Sequence, residues 1–329
     1  MKNITILNKR LKPKTSIVYD TYWKFATERQ NVFFKRFKDS QYPWSTDLIL
    51  NEYKFTNTYR ATDRVSQYLI KNVIYKGSQT PTEIFFRIIL FKIFNKIETW
   101  EFLEHQLKEI SWETYSFNKY NSILSELMNN KIAIYSAAYI MASGKSSFHE
   151  TKKHQNHLKL IEMMMNSNLV NKLMKTNNMA IGYNILKEYP TIGEFLAYQY
   201  ITDINYSTLT SYSEQEFTKA GPGAKDGITK CFSSLGEYNY EDVIKMMTDI
   251  QESEFERLGL YFNNLWGRPL QLIDIQNIFC EVDKYSRVAH SEILGKSDRT
   301  RIKQKFKFEK KEKIDLFFPP KWNINHLII

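Results

Sequence analysis

Cysteine is almost absent from the sequence. The 329 residues include only Cys231 and Cys280, so neither a disulfide framework nor a multi-cysteine zinc or iron–sulfur site is available. Glycine and proline are also few, with 11 and 8 residues, and no repeat or low-complexity tract interrupts the chain. A chain of this length can bury a large core in one or two domains.

Long hydrophobic runs are missing as well. No stretch reaches about 18 uninterrupted apolar residues, the length that a membrane span needs. The N-terminal sequence MKNITILNKRLKPK lacks the apolar region of a signal peptide. We therefore expect no membrane span and a cytoplasmic location.

The sequence does have an excess of positive charge and of aromatic rings. The formal net charge is +10 and the pI is near 9.2, which favours a polyanionic partner such as nucleic acid. Aromatic residues make up 15% of the chain, which allows base stacking even though most of these rings must lie in the core.

The hydrophobic pattern is helical almost throughout. Apolar residues recur at helical spacing on one face, as Tyr22, Phe25, Phe33 and Phe37 do. Short β-like runs such as 134–138 are too isolated to build a sheet. The sequence therefore predicts an all-α fold.

Two predicted helices, Gly182–Glu188 and Gly193–Asn205, are joined by a short turn. Pro190 ends the first helix, and Gly193 lets the backbone approach another molecule closely. Free N–H groups at the start of the second helix attract phosphate. The pattern predicts a helix-hairpin-helix whose Thr191 and Gly193 contact a DNA backbone. A helical hairpin used only for packing is the alternative.

Longer motifs surround this hairpin in a fixed order. They are PWSTDLILNEYKFTNTYRATDRVSQYLI (43–70), FFRIILFKIFNKIETWE (85–101), IYSAAYIM (134–141), KKHQNHLKLIEMM (152–164), AGPGAKDGITKCF (220–232) and LWGRPLQLIDIQNIFCEVDKYSRVAH (265–290). In this order the chain resembles the family of the 5-hydroxymethyluracil DNA kinase helical domain, also described as α-glutamyl/putrescinyl-thymine pyrophosphorylases. The resemblance implies a place in the helix-hairpin-helix DNA glycosylase superfamily and a hypermodified phage DNA as substrate.

The resemblance also implies an architecture. We expect a glycosylase-like fold of two helical lobes with a DNA or base cleft between them, in which the N-terminal segment crosses over to join the C-terminal half. The expected boundaries are an N-terminal extension over 1–17, one helical domain over 18–295 with the hairpin at about 181–205, and a basic tail over 296–329. Between Lys296 and Lys313 there are nine Lys/Arg and three Asp/Glu. This run is interpreted as an arm that follows a DNA backbone, with a solvated basic face as the alternative.

An active-site acid is a further expectation from that superfamily, because a carboxylate stabilises the charge that develops on the sugar during base excision. Its usual place is roughly twenty residues after the second hairpin glycine, a spacing that Glu214 and Glu216 meet. Asp203 lies earlier, in an apolar run where an unpaired carboxylate is costly. We rank Asp203 first, with a structural helix-end role as its alternative. The lyase-lysine position holds Phe195, so excision is expected to leave intact abasic sites.

A second glycine-rich segment, AGPGAKDG, occupies residues 220–227. Gly221 and Gly223 allow close approach of the backbone and Lys225 supplies a cation, so that all three are predicted to contact DNA. A tight turn that caps a helix is the alternative. The Walker A order G-x-x-x-x-G-K-[ST] is absent from the sequence, so kinase activity lacks that nucleotide site here.

Polar residues at helical spacing predict a base pocket. Arg60 and Arg64 lie four apart, and Arg29 interrupts an apolar stripe, so that it needs an acidic partner such as Glu98 or Glu101. A structural ion-pair network is the alternative. The predicted pocket comprises Arg29, Asn57, Arg60, Asp63, Arg64 and Tyr285.

The segment CEVDKYSR (280–287) adds further candidates. We expect Glu281 to read a flipped base or to orient a catalytic water, and we expect Lys284 and Arg287 to contact phosphate. An ordinary helix salt bridge between Glu281 and Lys284 is the alternative.

Three functions remain open. We favour a monofunctional DNA N-glycosylase, a hydrolase that flips a modified base, such as glucosylated 5-hydroxymethylcytosine or a modified thymine, out of double-stranded phage DNA in anti-phage defence. The second is a base-hypermodifying transferase that displaces pyrophosphate from an activated 5-hydroxymethyluracil. The third is a non-catalytic DNA-binding module. We expect no cofactor, no metal and no obligate protein partner.

Overall fold

The computed structural model describes residues 9–39, 41–297, 299–308 and 314–328, and these are mostly helical. This confirms the predicted helical class. The α-helices of the described residues are α1 (Val18–Phe37), α2 (Leu48–Glu52), α3 (Arg64–Tyr68), α4 (Pro81–Phe94), α5 (Ile97–Leu107), α6 (Phe117–Asn129), α7 (Lys145–Phe148), α8 (Lys153–Asn166), α9 (Leu169–Met174), α10 (Met179–Lys187), α11 (Glu194–Ile204), α12 (Pro222–Cys231), α13 (Tyr240–Arg257) and α14 (Leu272–Ala289).

Short elements complete the fold. Strands β1 (Lys14–Thr15) and β2 (Phe232–Ser234) pair antiparallel. The sequence did not predict them, because strands of this length leave no alternation to detect. A π-helical turn, Leu69–Ile74, continues α3, and 3₁₀ turns occupy Arg60–Thr62, Pro320–Trp322 and Asn325–Leu327.

The chain forms two compact units. Among the residues that the structure describes, the first unit comprises those within 9–63, 214–316 and 324–328, and the second comprises 64–213 and 317–323. The N-terminal segment therefore belongs to the same unit as most of the C-terminal half, as expected.

The core of the first unit is built around α14, against which α1, α12 and α13 pack. The Tyr22 ring of α1 lies 4.6 Å from the Phe279 ring of α14, and the Trp23 ring lies 5.0 Å from the Phe255 ring of α13. Tyr22 also donates a hydrogen bond to the carbonyl of Ile275. The large rings of α1 thus fix its position on α14.

Glycine in α12 lets this helix approach α14 closely. A Cβ placed on Gly227 would lie 2.0 Å from the carbonyl oxygen of Phe279, and one on Gly223 would lie 3.2 Å from Cys280 Sγ. Any side chain at position 227 would therefore force the two helices apart.

The second unit is organised by α4, which is buried from Glu83 to Phe94. Its apolar residues surround the whole helix, as expected for a helix packed on all sides. Pro81 starts the helix at its first position, and Asn95 ends it in the left-handed conformation, with φ of 49°. Helices α5, α8, α9 and α11 pack around it.

Helices α10 and α11 form the predicted helical hairpin within the second unit. Helix α10 begins at Met179 rather than Gly182, because the Asn178 side chain accepts a hydrogen bond from the Ala180 N–H at 2.8 Å. Gly182 lies where the two helices meet, and a Cβ there would lie 2.8 Å from Ile201 Cδ1. Packing therefore explains this glycine.

Within the described residues, no helix is both long enough and apolar enough to cross a lipid bilayer.

Candidate functional site

A polar cluster lies on the first unit where α1, α14 and the segment after α2 meet. We use the name polar cluster for Arg29, Thr56, Asn57, Asp63, Asn277, Glu281 and Lys284. Four of its members were predicted to line a base pocket or to act there: Arg29, Asn57, Asp63 and Glu281. The structure brings these four into one network.

Hydrogen bonds hold residues 55–57 between the two helices. Arg29 donates to the carbonyl of Thr56 at 3.0 Å and to Asn57 Oδ1 at 2.5 Å. From α14, Asn277 Nδ2 donates to Thr56 Oγ1 and to the carbonyl of Asn57, both at 3.1 Å. Glu281 Oε2 accepts from the Thr56 N–H at 3.0 Å. The backbone of this segment is thereby fixed at the surface.

The ionised groups of the cluster are close enough to affect one another. Glu281 Oε2 lies 2.7 Å from Lys284 Nζ, and Asp63 Oδ1 accepts from the Asn57 N–H at 2.7 Å. Burial raises the pKa of Asp63 to about 7, against the opposing effects of the Asn57 N–H and the Arg29 guanidinium. Burial also lowers the pKa of Arg29 to about 10. Groups shifted in this way concentrate at functional sites, although structural ion-pair networks show such shifts too.

Aromatic rings border the polar cluster. The rings of Phe25, Phe55 and Tyr285 pack together, and Lys284 Nζ lies 4.6 Å from the centroid of the Phe55 ring. Tyr285, a predicted pocket residue, donates its hydroxyl to Asp47 Oδ2 at 2.7 Å. Its polar end is therefore engaged by Asp47.

The prediction that Arg60 and Arg64 share one face of a helix is wrong. Arg60 lies in a 3₁₀ turn that ends at Thr62, Asp63 is extended, and α3 begins only at Arg64. The Asp63 side chain binds the backbone of Asn57, and such side-chain bonds compete with helix formation.

The two arginines consequently have separate surroundings. Arg60 is buried, and its backbone N–H donates to Asp274 Oδ1 at 2.8 Å. Arg64 is exposed in the second unit, where it lies 3.5 Å from Glu98. Glu98 was a predicted partner of Arg29, which instead has Asp63 and Glu281 as the acids that stabilise its charge.

The turn of the helical hairpin is exposed at its second glycine. Gly193 caps the N-terminus of α11 with φ of −78°, and a Cβ placed there would have no atom within 4 Å. Neither backbone conformation nor packing against the described residues requires glycine at this position. Thr191 has φ of 69°, a strained value for a β-branched residue.

The three acids ranked from the hairpin occupy very different surroundings. Asp203 is completely buried in the second unit, 3.1 Å from Lys92 Nζ. Glu214 belongs to the first unit and pairs with Arg268 at 2.7 Å, whereas Glu216 is exposed. Asp203 therefore belongs to the second unit and the polar cluster to the first, and a buried lysine contacts the Asp203 carboxylate.

The AGPG segment forms the start of α12. Gly221 is the residue that precedes the helix, Pro222 is its first residue, and Gly223 faces Cys280. This arrangement matches the helix-capping alternative, and packing explains Gly223. Lys225 is half-buried, 5.8 Å from the centroid of the Tyr240 ring.

Arg287 lies within a second charged network of the first unit. It pairs with Asp283 at 2.5 Å, and Asp283 also lies 3.0 Å from the buried Lys230. The Arg287 side chain is only 10% exposed, and it donates to the carbonyl of Arg301 at 3.0 Å. Its contacts here are with the protein's own backbone and acids.

Sequence reasoning missed Thr56 and Asn277. Thr56 directly precedes the predicted residue Asn57, and Asn277 lies one helical turn before Glu281 on α14. The helical spacing of Asn277 and Glu281 was the available indication, because residues four apart share one helix face.

Comparison with known proteins establishes the family. Residues 16–295 match the family described as "5-hmdU DNA kinase, helical domain", and the chain belongs to this family. It is also 24% identical over 297 residues to a 5-hmdU DNA kinase of Bacillus phage SP10, an alignment that covers 84% of this chain and 46% of that protein. The chain thus spans about half the length of this relative. No solved structure matches it.

These comparisons overturn the predicted reaction. The interpretation as a monofunctional DNA N-glycosylase, a hydrolase acting in anti-phage defence, is wrong, because the family and the relative are named as DNA kinases, which are transferases. Neither match supports the pyrophosphorylase or the non-catalytic alternative. Helical folds with acidic residues serve many reactions, so the predicted hairpin and acids did not determine which reaction occurs. A missing Walker A motif likewise excludes only one kind of nucleotide site, since protein kinases use another.

Proposed function

We propose that this chain is the DNA-recognising helical part of a 5-hmdU DNA kinase, which transfers phosphate to 5-hydroxymethyldeoxyuridine within DNA. The observation that carries this proposal is the family match over residues 16–295. The relative from Bacillus phage SP10 supports it with its alignment over most of the chain. The net charge of +10 suits a DNA substrate.

The chemistry of the acceptor defines what the site must do. Within a DNA strand the sugar hydroxyls are esterified, so the 5-hydroxymethyl group carries the free hydroxyl of this nucleoside. Phosphate transfer forms a bond between that oxygen and the γ-phosphorus of a nucleoside triphosphate, breaks the bond to the diphosphate, and moves the hydroxyl proton to a base. The site therefore needs hydrogen-bonding groups that recognise the base. It also needs a proton acceptor whose pKa lies near the working pH.

The polar cluster has these properties. Asn277, Thr56 and Lys284 offer donors, and Glu281 and Asp63 offer acceptors. Because the pKa of Asp63 is about 7, a large fraction of this carboxylate is ionised at neutral pH and can accept a proton. We assign base recognition to the cluster and proton acceptance to Asp63.

Recognition is tested by binding. The full chain is titrated against two duplexes that differ only in one 5-hydroxymethyldeoxyuridine in place of thymidine. We expect tighter binding of the hydroxymethyl duplex by about 5- to 30-fold, since one or two added hydrogen bonds contribute about 1–2 kcal/mol. Glu281→Gln should reduce this preference, whereas Glu252→Gln on the exposed face of α13 should leave it intact. Equal affinity of the wild-type chain for both duplexes would contradict the proposal.

Transfer is tested separately with ATP and the same duplexes, and the product nucleosides are identified by mass spectrometry. Asp63→Asn should lower the rate by about 100-fold or more while binding is retained, because general-base catalysis contributes about that much. An unchanged rate contradicts the role of Asp63. A wild-type chain that binds selectively but transfers nothing contradicts catalysis by this chain and leaves recognition standing.

We further propose that the hairpin of α10 and α11 binds phosphate as in the helix-hairpin-helix superfamily. The exposed, unfilled surroundings of Gly193 and the free N–H groups at the start of α11 support this. Three other predictions also stay proposals. They are the division into residues 1–17, 18–295 and 296–329, the glycosylase-like arrangement of lobes, and the cytoplasmic location.

A further inference from the structure

A row of basic residues lies along the segment after α14. Arginine or lysine occupies every second position at Arg299, Arg301, Lys303, Lys305 and Lys307, and all five are exposed. Ile302 and Phe306 lie between them, and Phe308 follows Lys307. We call residues 301–307 the basic track.

Backbone pairing holds this segment on the first unit. Lys305 forms an antiparallel bridge with Tyr53, the Lys54 N–H donates to the carbonyl of Gln304 at 3.0 Å, and the Phe306 N–H donates to that of Glu52 at 2.8 Å. In a strand, side chains alternate between two faces. Around this bridge, Lys303, Lys305 and Lys307 therefore share the face opposite to Phe306 and Phe308.

The aromatic side chains of the opposite face pack on other rings of the protein, although Phe308 keeps 49% of its surface exposed. The Phe308 ring lies 4.6 Å from the Tyr42 ring and 5.9 Å from the Trp44 ring, and the Phe306 ring lies 6.2 Å from Tyr42. These rings anchor the segment. The basic side chains lie exposed on the other face.

Most of that charge has no acidic partner among the residues that the structure describes. Lys305 pairs with Glu52 and lies over the Tyr53 ring. Arg301, Lys303 and Lys307 make no ion pair within the described ranges, in contrast to Lys305. Like charges held in a row repel one another, so a polyanion is the partner that such a face favours.

The track leads directly to the polar cluster. Residues 52–54 pair with the track, and residues 56 and 57, two steps further along the chain, belong to the cluster. Successive basic residues two apart on a strand are about 6.6 Å from one another, a separation similar to that of neighbouring phosphates on one DNA strand.

We propose that the basic track binds the sugar–phosphate backbone of the DNA strand whose base enters the polar cluster. This inference rests on the proposed function and adds the surface that holds the substrate strand. Phosphate contacts of this kind position DNA without reading its sequence.

The test compares two double variants with equal charge change. Lys303→Gln/Lys307→Gln removes two charges from the track and leaves Phe306, Phe308 and the backbone pairing in place. Lys12→Gln/Lys24→Gln is the control, since both lysines are exposed and lie outside the track. Affinity is measured for the hydroxymethyl and thymidine duplexes at several salt concentrations.

We expect the track variant to bind both duplexes at least 10-fold more weakly at low salt and to flatten the plot of log affinity against log salt by up to about two units, at about 0.9 per lost phosphate contact. The ratio between the two duplexes should stay unchanged, as should the thermal midpoint. If the track variant shows the same slope of log affinity against log salt as the control, the track does not bind DNA, whatever the ratio of the two affinities. Equal affinity of the wild-type chain for the hydroxymethyl and thymidine duplexes would instead contradict the proposed function.

Discussion

The Lys92 ammonium lies 3.1 Å from the Asp203 carboxylate, and both side chains are almost completely buried in the second unit. Lys92 also donates to Asn95 Oδ1 at 2.8 Å and lies 4.8 Å from the centroid of the Tyr139 ring. The pair links α4 to α11. Because a buried charge without its partner is costly, this contact stabilises the fold of the second unit.

Removing one member of this pair should strongly destabilise the protein. We expect Asp203→Asn to lower the free energy of unfolding by about 3–5 kcal/mol in urea titrations, because it leaves the Lys92 charge buried. Lys92→Met/Asp203→Leu should lose less than the sum of the single changes. Glu216→Gln, at an exposed position, is the control. A stable Asp203→Asn protein that no longer binds DNA would contradict a structural role.

Glycines 193 and 227 provide a matched pair for separating binding from packing. Gly227→Ser should cost about 3 kcal/mol or more, because the new Cβ would lie 2.0 Å from the carbonyl oxygen of Phe279. Gly193→Ser should leave stability unchanged or raise it slightly, because serine is a favourable residue at a helix N-terminus and nothing lies within 4 Å.

DNA binding should respond in the opposite order. Gly193→Ser should weaken binding of both duplexes by filling the space that a phosphate would occupy, whereas folded Gly227→Ser protein should bind normally. Thermal unfolding and fluorescence titration measure the two effects. Unchanged affinity of Gly193→Ser would remove this turn from the DNA interface.

Local patterns predicted the helices and the hairpin well. Pro190 and Gly193 mark the turn between α10 and α11, and the apolar stripe that includes Tyr22 and Phe33 lies on α1, as expected. These features depend on residues close together in the sequence. The periodicity of three to four residues is sufficient to find them.

Contacts between distant segments were not predictable in the same way. Thr56 and Glu281 are 225 positions apart and yet share a hydrogen bond, and the partner of Asp203 lies on α4. Asp63 misled the prediction of a helix because its side chain binds the Asn57 backbone, a local competition that spacing alone does not show. The reaction was missed because similar helical sites serve different chemistry.

Replacement of Thr191 should stabilise the folded protein. Its φ of 69° costs a β-branched residue about 1 kcal/mol or more, whereas asparagine tolerates this conformation. Thr191 Oγ1 has no hydrogen-bond partner among the described residues, so replacing it removes no such bond. We expect Thr191→Asn to stabilise the protein by about 0.5–1 kcal/mol in thermal unfolding. Thr229→Asn, on the exposed side of α12, is the control and should not stabilise the protein. If both variants are less stable than the wild-type protein, the backbone at Thr191 is not strained.

Acid sensitivity should come in part from His157. This side chain is fully buried in the second unit, where Nδ1 lies 2.9 Å from the Tyr135 hydroxyl and Nε2 lies 2.8 Å from the carbonyl of Ala142. Burial lowers the pKa of His157 to about 4, and the lysine at position 153 adds to this effect.

The sign of the resulting pH dependence follows from where the proton binds. Between the unfolded pKa of about 6.5 and the folded pKa of about 4, the unfolded chain takes up a proton that the folded protein excludes. The stabilisation is therefore complete above about pH 6.5 and is lost as the pH falls towards 4, by up to about 1.4 kcal/mol per pH unit.

His157→Gln tests this because glutamine can accept from Tyr135 and donate to Ala142 but does not titrate. We expect the variant to be less stable at pH 7 and to lose less stability than the wild-type protein between pH 6.5 and 4. The raised pKa of Asp63 acts in the opposite direction, but it is present in both proteins and cancels in the difference. Urea titrations at several pH values measure the two slopes. Parallel curves would show that His157 is not the group that takes up the proton on unfolding.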